Sequence, residues 1–111
     1  MATVRLDQKN RALTRAVPDS FDRALAKFFG SGPTDISLAK AQHTAYCQAL
    51  VDAGMEVTIL PKDNNHPDCI FVEDQAVVID GHVLMPVPGH PSRVNEQPPI
   101  SEFINRQLSG T

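Results

Sequence analysis

Apolar residues recur at helical spacing in some stretches of this chain and gather into short strand-like runs in others. Arg11 to Val17 (RALTRAV) reads as a first strand, stopped by Pro18. Asp19 and Ser20 then cap a predicted short helix with Phe21, Leu25, Phe28 and Phe29 at helical spacing, and Gly30-Ser31-Gly32-Pro33 breaks it. Thr34 and Asp35 restart a longer helix to about Ala53. Its apolar stripe is Ala39, His43, Tyr46, Leu50 and Ala53, and Gly54 supplies the stop. Met55 to Leu60 (MEVTIL) is a second strand ended by Pro61.

Lys62 to Pro67 is polar and reads as a loop, while Cys69 to Val72 and Ala76 to Ile79 are apolar, strand-like pieces. Asp80-Gly81 is a strong hairpin signal, because a tight two-residue turn wants positive φ at both central positions. His82 to Val87 is the expected return strand, with Pro86 placing it at an edge or a strand end. Four prolines between Pro88 and Pro99 suggest an irregular loop. Pro99 then opens a last helix carrying Ile100, Phe103, Ile104 and Leu108 on one face. The predicted order is β, α, α, β, β, β, α, a mixed α/β chain without internal repeats.

Composition narrows the partners. Of 111 residues, 41% are hydrophobic and 21% charged, a globular balance that supports one modest core. Lys and Arg number 10 against 13 Asp and Glu, so a formal charge of -3 offers nothing to a nucleic-acid backbone or an anionic membrane. No basic leader runs into an apolar stretch, and no run approaches a membrane span. The expectation is therefore a soluble, cytoplasmic protein. Cys47 and Cys69 make neither a disulfide framework nor a metal site, and both read as small buried thiols.

Chemistry concentrates between Pro67 and Ile79 (PDCIFVEDQAVVI). Asp68 stands just before an apolar run that Glu73 and Asp74 interrupt. Ionised carboxylates inside a strand are costly unless paired. In a regular strand Glu73 and Asp74 point to opposite faces; a bend lets both reach one cavity. Clustered acids in an apolar wall suit a planar guanidinium with its fixed fork of donors. Spacing alone leaves open the alternative of a strand end whose acids face solvent.

The run PDCIFVEDQAVV, followed by Pro88-Gly89-His90-Pro91-Ser92-Arg93, resembles the amino-terminal part of the dimethylarginine dimethylaminohydrolase family. That family belongs to the guanidino-group-modifying, or pentein, superfamily. The likeness begins at Arg15-Ala16-Val17-Pro18-Asp19-Ser20, includes Ala39 to Tyr46 in the long helix, and fades after Glu96. It implies an α/β fold of ββαβ modules in a five-bladed propeller. Residues 1–111 would be a partial pentein domain, with one module at 11–97 and the start of the next at 98–111.

By the same resemblance, Asp68 helps hold a substrate amino acid, Glu73 and Asp74 line a guanidinium pocket, and Arg93 binds the substrate α-carboxylate. Leu25 matches a leucine on a mobile flap, which the Gly30 to Pro33 loop would fit. Val87 stands where the family often has a basic residue before Pro-Gly. His43 reads as a core histidine, and His66, His82 and His90 carry no assigned role. The implied partner is arginine or a methylated arginine, with no cofactor and no metal.

The family reaction is C–N hydrolysis at the guanidinium carbon, giving citrulline and an amine. It uses a cysteine nucleophile and a histidine acid, both of which the resemblance puts beyond Thr111. Cys69 lies beside acidic residues, which disfavour a thiolate, and Cys47 has no cationic neighbour in sequence. The chain is thus expected to supply a binding wall, with no catalytic residue and no activity alone. The alternatives are a non-catalytic oligomeric binding module, or half of a split enzyme of the arginine deiminase or amidinotransferase kind, completed by a separate chain.

Overall fold

The computed structural model describes residues 10–25, 34–79 and 82–108. Strand β1 (Arg11–Arg15) leads through a 3-10 turn at Phe21–Arg23 to helix α1 (Ile36–Asp52), and α1 returns the chain to strand β2 (Glu56–Leu60). β1 and β2 pair in parallel, with Ala12 opposite Val57 and Thr14 opposite Ile59. The helical crossover is what makes parallel pairing available to strands so close in sequence. α1 lies against β1 where Cys47 Sγ comes 3.5 Å from Thr14 Oγ1.

Local chemistry sets both ends of α1. The Asp35 carboxylate accepts the Leu38 N–H at 2.9 Å, as the sequence suggested for that cap. At the other end, Gly54 N–H bonds Val51 C=O and Met55 N–H bonds Leu50 C=O. That pair of bonds needs a left-handed residue between helix and strand, and Gly54 has φ 91°.

Beyond β2 the structure departs from the sequence expectation. Cys69 to Val72 forms no strand. Successive turns join His66 N–H to Asp63 C=O, Cys69 N–H to His66 C=O and Phe71 N–H to Asp68 C=O, and a 3-10 turn follows at Val72–Asp74. Local acceptors explain this: Asp63 bonds the Asn65 N–H at 3.0 Å, which draws the backbone into turns. Strands β3 (Val77–Ile79) and β4 (His82–Leu84) then pair antiparallel, with Ile79 opposite His82. This register leaves two residues between the strands, matching the Asp80-Gly81 signal, although those two lie outside the described residues. β4 ends at Leu84 rather than Val87, before Pro86, which has no N–H for a ladder.

Pro88 to Pro99 is not an irregular loop throughout. Pro91–Glu96 is a 3-10 segment that runs directly into helix α2 (Gln97–Leu108). Pro98 and Pro99 fit the first turn of α2, where a missing N–H costs nothing. The expected helix after Asp19 is reduced, over the described residues, to the Phe21–Arg23 turn, and Ala24 is already extended. Phe28, Phe29 and Gly30 to Pro33 lie outside the described residues.

The fold is α/β, with two two-stranded sheets among the described residues. Among the described residues the apolar core is small: Ala12, Val17, Cys47, Cys69 and Ile100 are buried. Arg15, Asp68, Gln75 and Glu96 are buried beside them, so the interior is unusually polar. No helix among the described residues is long and apolar enough to cross a membrane.

Candidate functional site

Arg93 is the centre of the polar interior. It projects from the 3-10 segment Pro91–Glu96, whose start is fixed by His90, the Nδ1 of which accepts the Ser92 N–H at 3.2 Å. Its Nη1 donates to Asp74 Oδ2 at 2.7 Å. Nη2 donates to Glu96 Oε1 at 3.0 Å and to the carbonyls of Asp68 and Phe71 at 3.2 and 3.1 Å. Nε donates to both Glu96 oxygens, at 3.1 and 3.2 Å. The guanidinium carbon also lies 6.0 Å from the centre of the Phe71 ring, within cation–π range. Burial works against the charge, but the bonds to Glu96 and Asp74 outweigh it and hold the group above its ordinary value.

Glu96 was not among the residues singled out from sequence, yet its side chain is 1% exposed. Besides Arg93 it accepts from Gln75 Nε2 at 3.2 Å, and its carbonyl accepts from Arg15 Nη1 at 3.4 Å. Gln97 closes the surround by donating to the carbonyls of Gln75 and Pro86. The one signal in sequence was opposite charge at a spacing of three, Arg93 to Glu96, which becomes a contact only once the segment is helical.

Asp68 is buried, and both its oxygens accept the backbone N–H of Leu25, at 3.0 and 3.2 Å. Leu25 therefore meets the site through its amide, while its side chain remains exposed. Asp68 binds Leu25 with its carboxylate and Arg93 with its carbonyl. Leu25, Asp68, Asp74 and Arg93 thus form one connected network.

Glu73 stands apart from it. Glu73 and Asp74 sit on a 3-10 turn rather than a strand, so successive side chains diverge by about a third of a turn. Asp74 turns to Arg93. Glu73 lines a cavity of about 750 Å³ with Phe71, His43, Tyr46, Phe103 and Ile104. The bend expected around these acids exists, but it sends the two carboxylates in different directions.

Both cysteines are free and buried. Burial pushes the Cys69 thiol above its ordinary value, only partly offset by the hydrogen bond to the Asp63 backbone. Its acidic neighbours, Asp63 and Glu96, add to the rise but are the smaller cause. Cys47 Sγ is 3.7 Å from His43 Nδ1, and burial lowers the His43 pKa, which favours the neutral ring. His66, for which the sequence offered no role, has Nδ1 2.6 Å from Asp63 Oδ2. Among the described residues no cluster of three or more His, Cys, Asp or Glu could hold a metal ion.

No family model matches the chain. It is 35% identical over 79 residues to N(G),N(G)-dimethylarginine dimethylaminohydrolase of Pseudomonas aeruginosa, covering 71% of this chain and 31% of that protein. The protein of the same name from Streptomyces coelicolor is 31% identical over 96 residues, covering 86% of this chain and 37% of that one. Among solved structures, a cysteine-to-serine mutant of the Pseudomonas aeruginosa enzyme complexed with citrulline superposes with a TM-score of 0.85 at 30% identity. A histidine-to-glycine dimethylarginine dimethylaminohydrolase, as its adduct with S-methyl-L-thiocitrulline, gives 0.83 at 30% identity. Each match covers 93% of this chain and 40% of the solved one. The chain spans about a third of the length of these curated relatives. In sequence and in fold, it is a relative of the dimethylarginine dimethylaminohydrolases.

Proposed function

We propose that this chain forms the substrate-binding wall of a dimethylarginine dimethylaminohydrolase-type hydrolase, one that converts a methylated arginine to citrulline and an amine. In this reading it is the first module of a five-module propeller, about residues 11–97, with the next module starting at 98. Asp74 receives the guanidinium, Arg93 the α-carboxylate and Asp68 the amino-acid end, Leu25 borders the flap, and Glu73, turned away from Asp74, lines the apolar cavity instead of sharing that contact.

One observation carries the reading: the Asp74 carboxylate and the Asp68 backbone carbonyl both accept from a single guanidinium, that of Arg93. A ligand with a carboxylate for Arg93 and a guanidinium for Asp74 exchanges that internal ion pair for two of its own.

Hydrolysis needs a thiolate to attack the guanidinium carbon, a histidine to protonate the departing amine, and water to release citrulline. Cys69, buried with a raised thiol pKa, is unsuited to this, and Cys47 is packed against Thr14. Purified chain should therefore give no citrulline from dimethylarginine. Sustained turnover abolished by Cys69→Ala would refute this division of labour.

A second reading, a binding module or split half completed by another chain, is favoured by the outer face of the β3–β4 hairpin. Val77, Ile79 and Leu84 share one side of it, with Ile79 68% and Leu84 64% exposed. A discrete oligomer in solution supports this second reading, and a monomer argues against a self-associating module.

A further inference from the structure

Glu96 contributes a buried carboxylate that the proposed ligand contacts do not use. Burying an ionised carboxylate is costly unless every oxygen is paired. Here both oxygens are committed to Arg93, and Oε1 also takes Gln75 Nε2. The contacts fall along one edge of the guanidinium, the Nε–Nη2 edge. The second N–H of Nη2 is covered by the Asp68 and Phe71 carbonyls. What remains is Nη1, whose partner among the described residues is Asp74. The Asp74 side chain is 55% exposed, whereas that of Arg93 is 14% exposed. The protein therefore grips one edge of the fork from the interior and leaves the opposite nitrogen to a single, half-exposed acid.

We propose that Glu96 is a positioning residue, which fixes the Arg93 guanidinium so that Nη1 alone is offered to a ligand carboxylate beside Asp74. This rests on the ligand reading above. A guanidinium is planar and rigid, so clamping one edge sets the direction of every remaining donor. Its aliphatic stem is flexible. Without Glu96, the head is free to turn both η nitrogens onto Asp74, which closes the carboxylate subsite and holds with two nitrogens the acid that Nη1 alone now pairs.

The test compares L-arginine with L-argininamide, which keeps the guanidinium and the amine but has no carboxylate. NMR titrations of ¹⁵N-labelled wild type and Glu96→Gln give both affinities together with the Arg93 Nε–H signal. Wild type should prefer L-arginine by roughly tenfold or more, the scale of a charge-assisted hydrogen bond. In Glu96→Gln the preference should fall to within about twofold, chiefly through weaker L-arginine binding. A merely structural role weakens both ligands alike and leaves their ratio unchanged. The Arg93 Nε–H should exchange slowly in ligand-free wild type and fast in Glu96→Gln.

A preference that survives in Glu96→Gln overturns the positioning role while the ligand site stands. An Nε–H in wild type that exchanges as fast as exposed arginines overturns it without any variant. Binding of neither ligand by wild type overturns the ligand site and the positioning role together.

Discussion

The Asp68 carboxylate accepts the Leu25 N–H with both oxygens, at 3.0 and 3.2 Å, across 43 positions of sequence. It ties the backbone beyond β1 to the turns that carry Glu73 and Asp74. Asp68 is buried, so its removal leaves an amide without its partner in a place water reaches poorly. Asp68→Ala should cost about 1–3 kcal/mol in urea unfolding, the range for hydrogen bonds to charged groups and unsatisfied buried donors. The Leu25 amide should lose its exchange protection by more than its neighbours do. Unchanged protection at Leu25 would show that the contact does not persist in solution.

Gly54 gives a backbone prediction with little ambiguity. Its φ is 91°, and a Cβ built there would meet nothing within 4 Å. Gly54→Ala therefore pays no steric penalty from neighbours, only that of a left-handed residue with a side chain. The expected loss is roughly 1 kcal/mol. A neutral substitution would mean that the helix-to-strand turn does not use this conformation.

Cys69 predicts a direction with pH. Burial raises its thiol above the ordinary 9.0, so less thiolate forms at a given alkaline pH than in the unfolded chain. Two consequences share that sign. Alkylation of Cys69 by iodoacetamide at pH 8.5 should be much slower in the native chain than in urea. The stabilising contribution is complete below the unfolded thiol pKa and is lost as pH rises from there through the folded one. Cys69→Ala should remove this alkaline loss. Rapid native alkylation of Cys69 would contradict the burial.

Much of the fold was legible because the signals were local. Asp35 and Gly54 bound α1 through contacts a few residues long, and the two-residue gap between Ile79 and His82 agrees with the Asp-Gly signal in the sequence. Cys69 to Val72 was not legible: a short apolar run reads equally as strand or as buried turn, and the acceptors at Asp63 and Asp68 decide between them. Proline content suggests a loop up to Pro99, whereas Pro91 sits at the start of a 3-10 segment and α2 begins two residues before Pro99; in both places a missing N–H is compatible with a helical first turn.

The site divides in the same way. Asp68 and Asp74 stand out by charge beside an apolar run and Arg93 by the family resemblance, and their contacts join them. Glu96 does not, because its importance comes from burial against Gln75 and Arg15, which are 21 and 81 positions away. Leu25 enters through the family resemblance alone, and its amide makes the contact. A 3-10 turn replaces the strand at Glu73 and Asp74, but its step of about a third of a turn per residue still keeps adjacent side chains apart.

Titration of dimethylarginine into the wild-type chain and into Asp74→Asn, followed by calorimetry, decides whether Asp74 receives the ligand guanidinium. Wild type should bind saturably, and Asp74→Asn should lose roughly tenfold or more, the order of one charge-assisted hydrogen bond. Binding that is unchanged in Asp74→Asn, or absent from a folded wild-type chain, would contradict that role.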